Sequence, residues 1–120
     1  VPDGGLTSAM ARMLPRPLAM EMCLLGRAVP AIRFAELGAV NVICPAGQAM
    51  AEAMLLADAL AQGPREAQGV IRGLVAQAYE TTEARQLDAE RDAMARAAGG
   101  DEAAEGIAAF LEKRKPRYGD

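Results

Sequence analysis

The chain has 120 residues, 52% of them hydrophobic and only 3% aromatic, with no His and no Trp. Twenty-seven residues are Ala, so the bulky core must come from seven Met and scattered Leu, Ile and Val. Without His the commonest general base and transition-metal ligand are missing, and the net charge of −3 disfavours nucleic acid as the main partner. Cys23 and Cys44 are too far apart for a CxxC pair, which suits a reducing compartment and leaves no basis for a structural zinc site. No apolar run approaches the roughly 18–20 residues of a membrane span and no signal peptide opens the chain, so we expect a cytoplasmic location.

Helix formers dominate from start to end. Val1-Pro2-Asp3-Gly4-Gly5 reads as a turn, followed by a short helix over 6–13 with Thr7 or Ser8 as its cap. Pro15 and Pro17 then interrupt the chain, a second helix runs from Pro17 to Leu25, and Gly26 stops it. Pro30 suits the first turn of a third helix, which Gly38 ends. Residues 39–44 carry Val40, Val42 and Ile43 and are expected to be a strand or an extended link. A lone strand finds no partner within this chain. After Pro45 four helices are predicted, over about 46–61, 64–79, 83–98 and 101–115. Asp101, Glu102 and Glu105 fall at the positive end of the last helix, and Lys113, Arg114 and Lys115 at its negative end.

Two features carry candidate chemistry. Asp3 is either a turn residue capping its own backbone or a base presented on a glycine-lined loop, with Gly4 and Gly5 admitting a substrate. The cluster Lys113-Arg114-Lys115-Pro116-Arg117, one turn after Phe110, is either a solvated helix end or an anion-binding patch. The Met residues read as core filler, the cysteines as small buried hydrophobes, and the charged run of 83–96 as a wet helix face.

Three stretches carry a family resemblance. The opening loop leads into Arg16-Pro17-Leu18-Ala19-Met20-Glu21-Met22-Cys23-Leu24-Leu25-Gly26-Arg27. It is followed by Phe34-Ala35-Glu36-Leu37-Gly38-Ala39-Val40-Asn41-Val42-Ile43, and the chain ends with Glu105-Gly106-Ile107-Ala108-Ala109-Phe110-Leu111-Glu112-Lys113-Arg114-Lys115-Pro116. In this order and spacing they resemble the enoyl-CoA hydratase/isomerase (crotonase) family, in its C-terminal portion only. The sequence departs from the family where Ala9 replaces an Arg and where 28–33 replace a polar helix start.

The resemblance implies an all-α piece, the helical C-terminal part of a crotonase-type α/β spiral fold, with at most one short strand near 39–44. Residues 1–45 would be the end of the spiral core, and 46–120 a C-terminal helical oligomerisation region. It implies hydration or double-bond isomerisation of an acyl-CoA thioester through an enolate, with coenzyme A part of the substrate and no separate cofactor or metal. The family's oxyanion hole and its two hydratase glutamates lie upstream of this loop, so Glu21, Glu36 and Glu52 match neither glutamate. Asp3 matches a loop position that is the base or nucleophile in several isomerase-like branches, with Gly4 and Gly5 in the same active-site loop. Phe110 and Lys113 match positions that can contact coenzyme A, often bound to a neighbouring subunit. A homo-oligomer, trimer or dimer of trimers, is expected for the parent, with neither nucleic acid nor membrane as partner and the isolated piece inactive. The contrasting expectation is a free-standing, non-catalytic helical interaction module.

Overall fold

The computed structural model describes residues 1–119. Its order is α1 (Leu6–Met13), α2 (Arg16–Leu25), α3 (Ala31–Glu36), α4 (Ala49–Ala61), α5 (Arg65–Gln77), α6 (Glu83–Ala97) and α7 (Asp101–Leu111). No strand occurs among the described residues. Residues 39–44 are irregular, as expected of β-branched residues whose backbone has no second strand to pair with. The chain is all-α and divides into two compact units, Val1–Glu52 and Ala53–Asp120, the division falling inside α4.

In the first unit, prolines and glycines set the element ends. Leu14 is extended, at φ −123° and ψ 151°, as a residue before proline must be, so α1 stops and α2 starts at the Pro15 cap. Leu14 and Ala19 are buried at this corner, and Cys23 Sγ lies 3.8 Å from Met10 Sδ across the α1–α2 contact. Gly26 closes α2 in the left-handed region at φ 63°. The α1 cap differs from expectation. It is Gly5, at φ 85°, and neither Thr7 nor Ser8 caps the helix through its side chain, because both already lie inside it. The third helix ends in a Schellman turn: Gly38 N–H donates to Ala35 and Ala39 N–H to Phe34, with Gly38 at φ 74°.

α4 presents apolar residues around its circumference, with Met50, Leu55, Leu56 and Leu60 all exposed. In the second unit α5 packs on α6, whose Thr82 hydroxyl caps it by accepting from Arg85 N–H at 3.4 Å. Gln86 Nε2 donates to the Leu74 carbonyl at 3.1 Å and ties the two helices. Among the described residues of this unit only Ala93 and Ala109 are buried, Ala109 to 1% exposure. An apolar groove of about 620 Å³ lies between α5, α6 and α7, lined by Ala67, Val70, Ala97 and Ile107 among others.

The start of α5 shows a device the sequence reading missed. Pro64 offers no side-chain cap, which leaves the first N–H groups of α5 without an acceptor of their own. The Glu102 carboxylate on α7 accepts from Glu66 N–H at 2.8 Å and Ala67 N–H at 3.0 Å. It therefore serves the positive end of α5 from 36 residues away, as well as lying in the first turn of its own helix.

Candidate functional site

The loop before α1 is shaped by two consecutive left-handed glycines, Gly4 at φ 59° and Gly5 at φ 85°. Side chains at these positions would be strained whatever the space around them, and the space is open. The turn closes through Leu6 N–H donating to the Asp3 carbonyl at 3.1 Å. The Asp3 carboxylate itself caps nothing: α1 has no side-chain cap, and among the described residues Asp3 has no side-chain hydrogen bond or ion pair. It is exposed on the rim of the loop. The geometry thus leaves the carboxylate free while the glycine backbone forms the turn unaided.

The second group of candidates lies at the end of α7. The helix stops at Leu111, four residues short of the expected 115, and Glu112 is its C-cap. Lys113 N–H donates to Phe110 at 3.2 Å and Arg114 N–H to Ala109 at 3.0 Å, which is a Schellman turn with Lys113 at the left-handed position. Lys113 is the non-glycine residue with positive φ, 54°, among those described. A left-handed residue with a Cβ costs about 1 kcal/mol, so neighbouring contacts must hold it there. Lys113, Arg114 and Lys115 are accordingly beyond the helix end rather than within it.

Those contacts converge on Glu105. Its carboxylate accepts a two-pronged pair from Arg114, Nη1 at 2.6 Å and Nη2 at 2.9 Å, and a third bond from Arg117 N–H at 2.6 Å. Glu105 was expected at the dipole end of α7; it instead faces forward to the tail, beyond the first turn. Arg114 Nε donates to Glu112 at 2.6 Å as well. The Arg114 hydrogen bonds, followed by the Arg117 backbone N–H, hold the Glu105 carboxyl down at about 2, from an ordinary value of 4.5. The same two carboxylates, Glu105 first, raise the Arg114 guanidinium further above its usual range.

Because the folded carboxyl ionises more readily than the unfolded one, its contribution is fully present above pH 4.5. It is lost as pH falls from there toward 2. Thermal unfolding followed by circular dichroism should therefore show a stability decline across that window, and Glu105→Gln should flatten it. An unchanged pH slope in the variant would contradict the assignment.

Phe110 is 82% exposed on the last turn of α7, and Lys113 is exposed and in no ion pair among the described residues. Asp3, Gly4 and Gly5 thus form one contiguous loop in the first unit, and Phe110 and Lys113 one turn in the second. None of these five lines the 620 Å³ groove.

The family model described as enoyl-CoA hydratase/isomerase matches residues 1–120. The chain belongs to this family. An enoyl-CoA hydratase of Mycobacterium tuberculosis is 34% identical over 98% of the chain and 44% of that relative. A 1,2-epoxyphenylacetyl-CoA isomerase of Escherichia coli is 33% identical over 98% of the chain and 45% of that protein. The crystal structure of an enoyl-CoA hydratase from a Polaromonas species superposes with a TM-score of 0.94 at 41% identity, covering 98% of this chain and 46% of that one. The chain spans under half the length of these hydratase/isomerase relatives, and its helices are those of a crotonase-type fold. Among the described residues no helix is long and apolar enough to cross a membrane.

Proposed function

We propose that this chain is the C-terminal portion of an acyl-CoA enzyme of hydratase/isomerase type. In this reading Asp3 moves a proton beside the thioester carbonyl. The observation that carries it is the Asp3 carboxylate, exposed and, among the described residues, unpaired on a two-glycine turn within a chain of this family. As base, the carboxylate removes a proton from the carbon beside the thioester carbonyl; the C–H electron pair forms a carbon–carbon double bond and the carbonyl π pair moves onto the thioester oxygen, giving an enolate. Return of the proton at another carbon shifts the double bond. Two backbone N–H groups from the upstream half would hold the enolate oxygen, the term on which such chemistry depends most.

Phe110 and Lys113 contact the coenzyme A part of the substrate in this reading, and no metal or separate cofactor takes part. Residues 1–45 close the spiral core and 46–120 form the helical region on which a homo-oligomer, trimer or dimer of trimers, assembles. The cytoplasm is the proposed location. The exposed apolar residues of α4 and of the second unit support a covered surface in the complete protein.

Assay of the complete protein and of the isolated chain, with short 2-enoyl- and 3-enoyl-CoA esters, tests this reading. Turnover is expected only from the complete protein. Turnover by the isolated chain, or none by the complete protein, would overturn it.

A further inference from the structure

The five-residue basic cluster at 113–117 looks uniform in the sequence, and the structure sorts it. Arg114 donates four hydrogen bonds, to Glu105 twice, to Glu112 and to the Lys115 carbonyl at 3.2 Å. A guanidinium has five N–H donors, so little of Arg114 is left for a ligand, and two carboxylates oppose its charge. The Glu105 carboxylate also takes the Arg117 N–H, so 114–117 is folded back onto α7. The reversal leaves Lys113 at the apex, left-handed, exposed and without an ion pair among the described residues, one turn after the exposed Phe110 ring.

We propose that Glu105 is a positioning residue: by clamping Arg114 and the tail backbone it fixes the left-handed turn that presents Lys113 to the phosphates of coenzyme A. This rests on the proposed function, which supplies the phosphate-bearing ligand. Without the clamp the tail swings free, Lys113 relaxes to a right-handed backbone, and its Cα–Cβ direction changes. Arg114 would then compete with Lys113 as a loosely held cation, and a flexible cation in water binds phosphate poorly.

The test compares, in the complete enzyme, an enoyl-CoA ester with the same acyl group on pantetheine, which lacks the nucleotide phosphates. Lys113→Ala should raise KM for the CoA ester about tenfold and leave the pantetheine ester unaffected. Glu105→Gln and Arg114→Gln, which open the clamp from opposite sides, should each raise KM for the CoA ester about three- to tenfold, with kcat within about twofold. Glu105→Gln combined with Lys113→Ala should be no worse than Lys113→Ala alone, because the clamp acts through that lysine. Helical circular dichroism reads whether each variant is folded.

Loss of kcat against both esters, or loss of the fold in both clamp variants, would make the clamp merely structural and overturn the inference. So would a silent Glu105→Gln beside an effective Lys113→Ala, although the coenzyme A contact would then stand. A silent Lys113→Ala would remove that contact reading and the positioning role with it.

Discussion

Replacing Asp3 by Asn in the complete protein should lower isomerisation of an enoyl-CoA ester by about 100- to 10,000-fold, the usual contribution of a general base. KM for the ester should change little, because Asn keeps the size of the side chain and loses only its ability to take a proton. The backbone of the loop does not depend on the Asp3 side chain: Gly4 and Gly5 supply the left-handed turn, and the Asp3 carbonyl receives Leu6 N–H. Asp3→Asn should therefore leave the thermal midpoint within about 1 °C, which separates a chemical role from a capping one. Wild-type rates in the variant would return Asp3 to a turn residue. A lowered midpoint with proportionately lowered activity would point to a structural role.

The isolated chain, taken alone, should self-associate. It exposes 9796 Å² of surface. Two independently folded units of the sizes of Val1–Glu52 and Ala53–Asp120 would expose together only about 7,500 Å² by the usual scaling with mass. The excess is rich in large apolar side chains, with Met50 at 74%, Leu24 at 72% and Leu111 at 73% exposure. Among the described residues only Leu14, Ala19, Ala93 and Ala109 are buried, and three of these four are alanines that bring little apolar area out of water. Light scattering of the isolated chain should give assemblies above the 12.6 kDa of one copy, growing with concentration. A monodisperse monomer that melts cooperatively would contradict the reading of these faces as built to be covered.

The helices were legible wherever local chemistry decides the backbone. Leu14 before Pro15, left-handed Gly26 and the Gly38 Schellman turn each act within one turn of chain, so punctuation alone locates the ends of α1, α2 and α3 to within a residue. The end of α7 was not legible in this way. Nothing in Glu112-Lys113-Arg114 announces a left-handed residue, because the turn is held by Glu105, nine residues from Arg114 and outside the range of helix-neighbour pairing. The Glu102 cap on α5 is a longer-range case of the same kind. Its one sequence signal was a helix start at Pro64-Arg65-Glu66 lacking Ser, Thr, Asp or Asn, a demand for an acceptor from elsewhere.

The candidate site divides similarly. The Pro2-Asp3-Gly4-Gly5 run already suggests a turn, and the geometry adds that no side chain caps α1, while the catalytic reading of Asp3 rests on the proposed function. The basic cluster could not be sorted from sequence, since Lys113, Arg114 and Lys115 are chemically alike until Glu105 and Glu112 claim the arginine.

The proposed function makes this chain one part of a larger acyl-CoA enzyme whose oxyanion donors lie in the other part. The intact mass of the natural protein that contains this sequence tests it most directly. A mass roughly twice the 12.6 kDa of this chain is expected, since the chain covers 46% of the Polaromonas enzyme it superposes on. A natural protein of 12.6 kDa would contradict the proposed function.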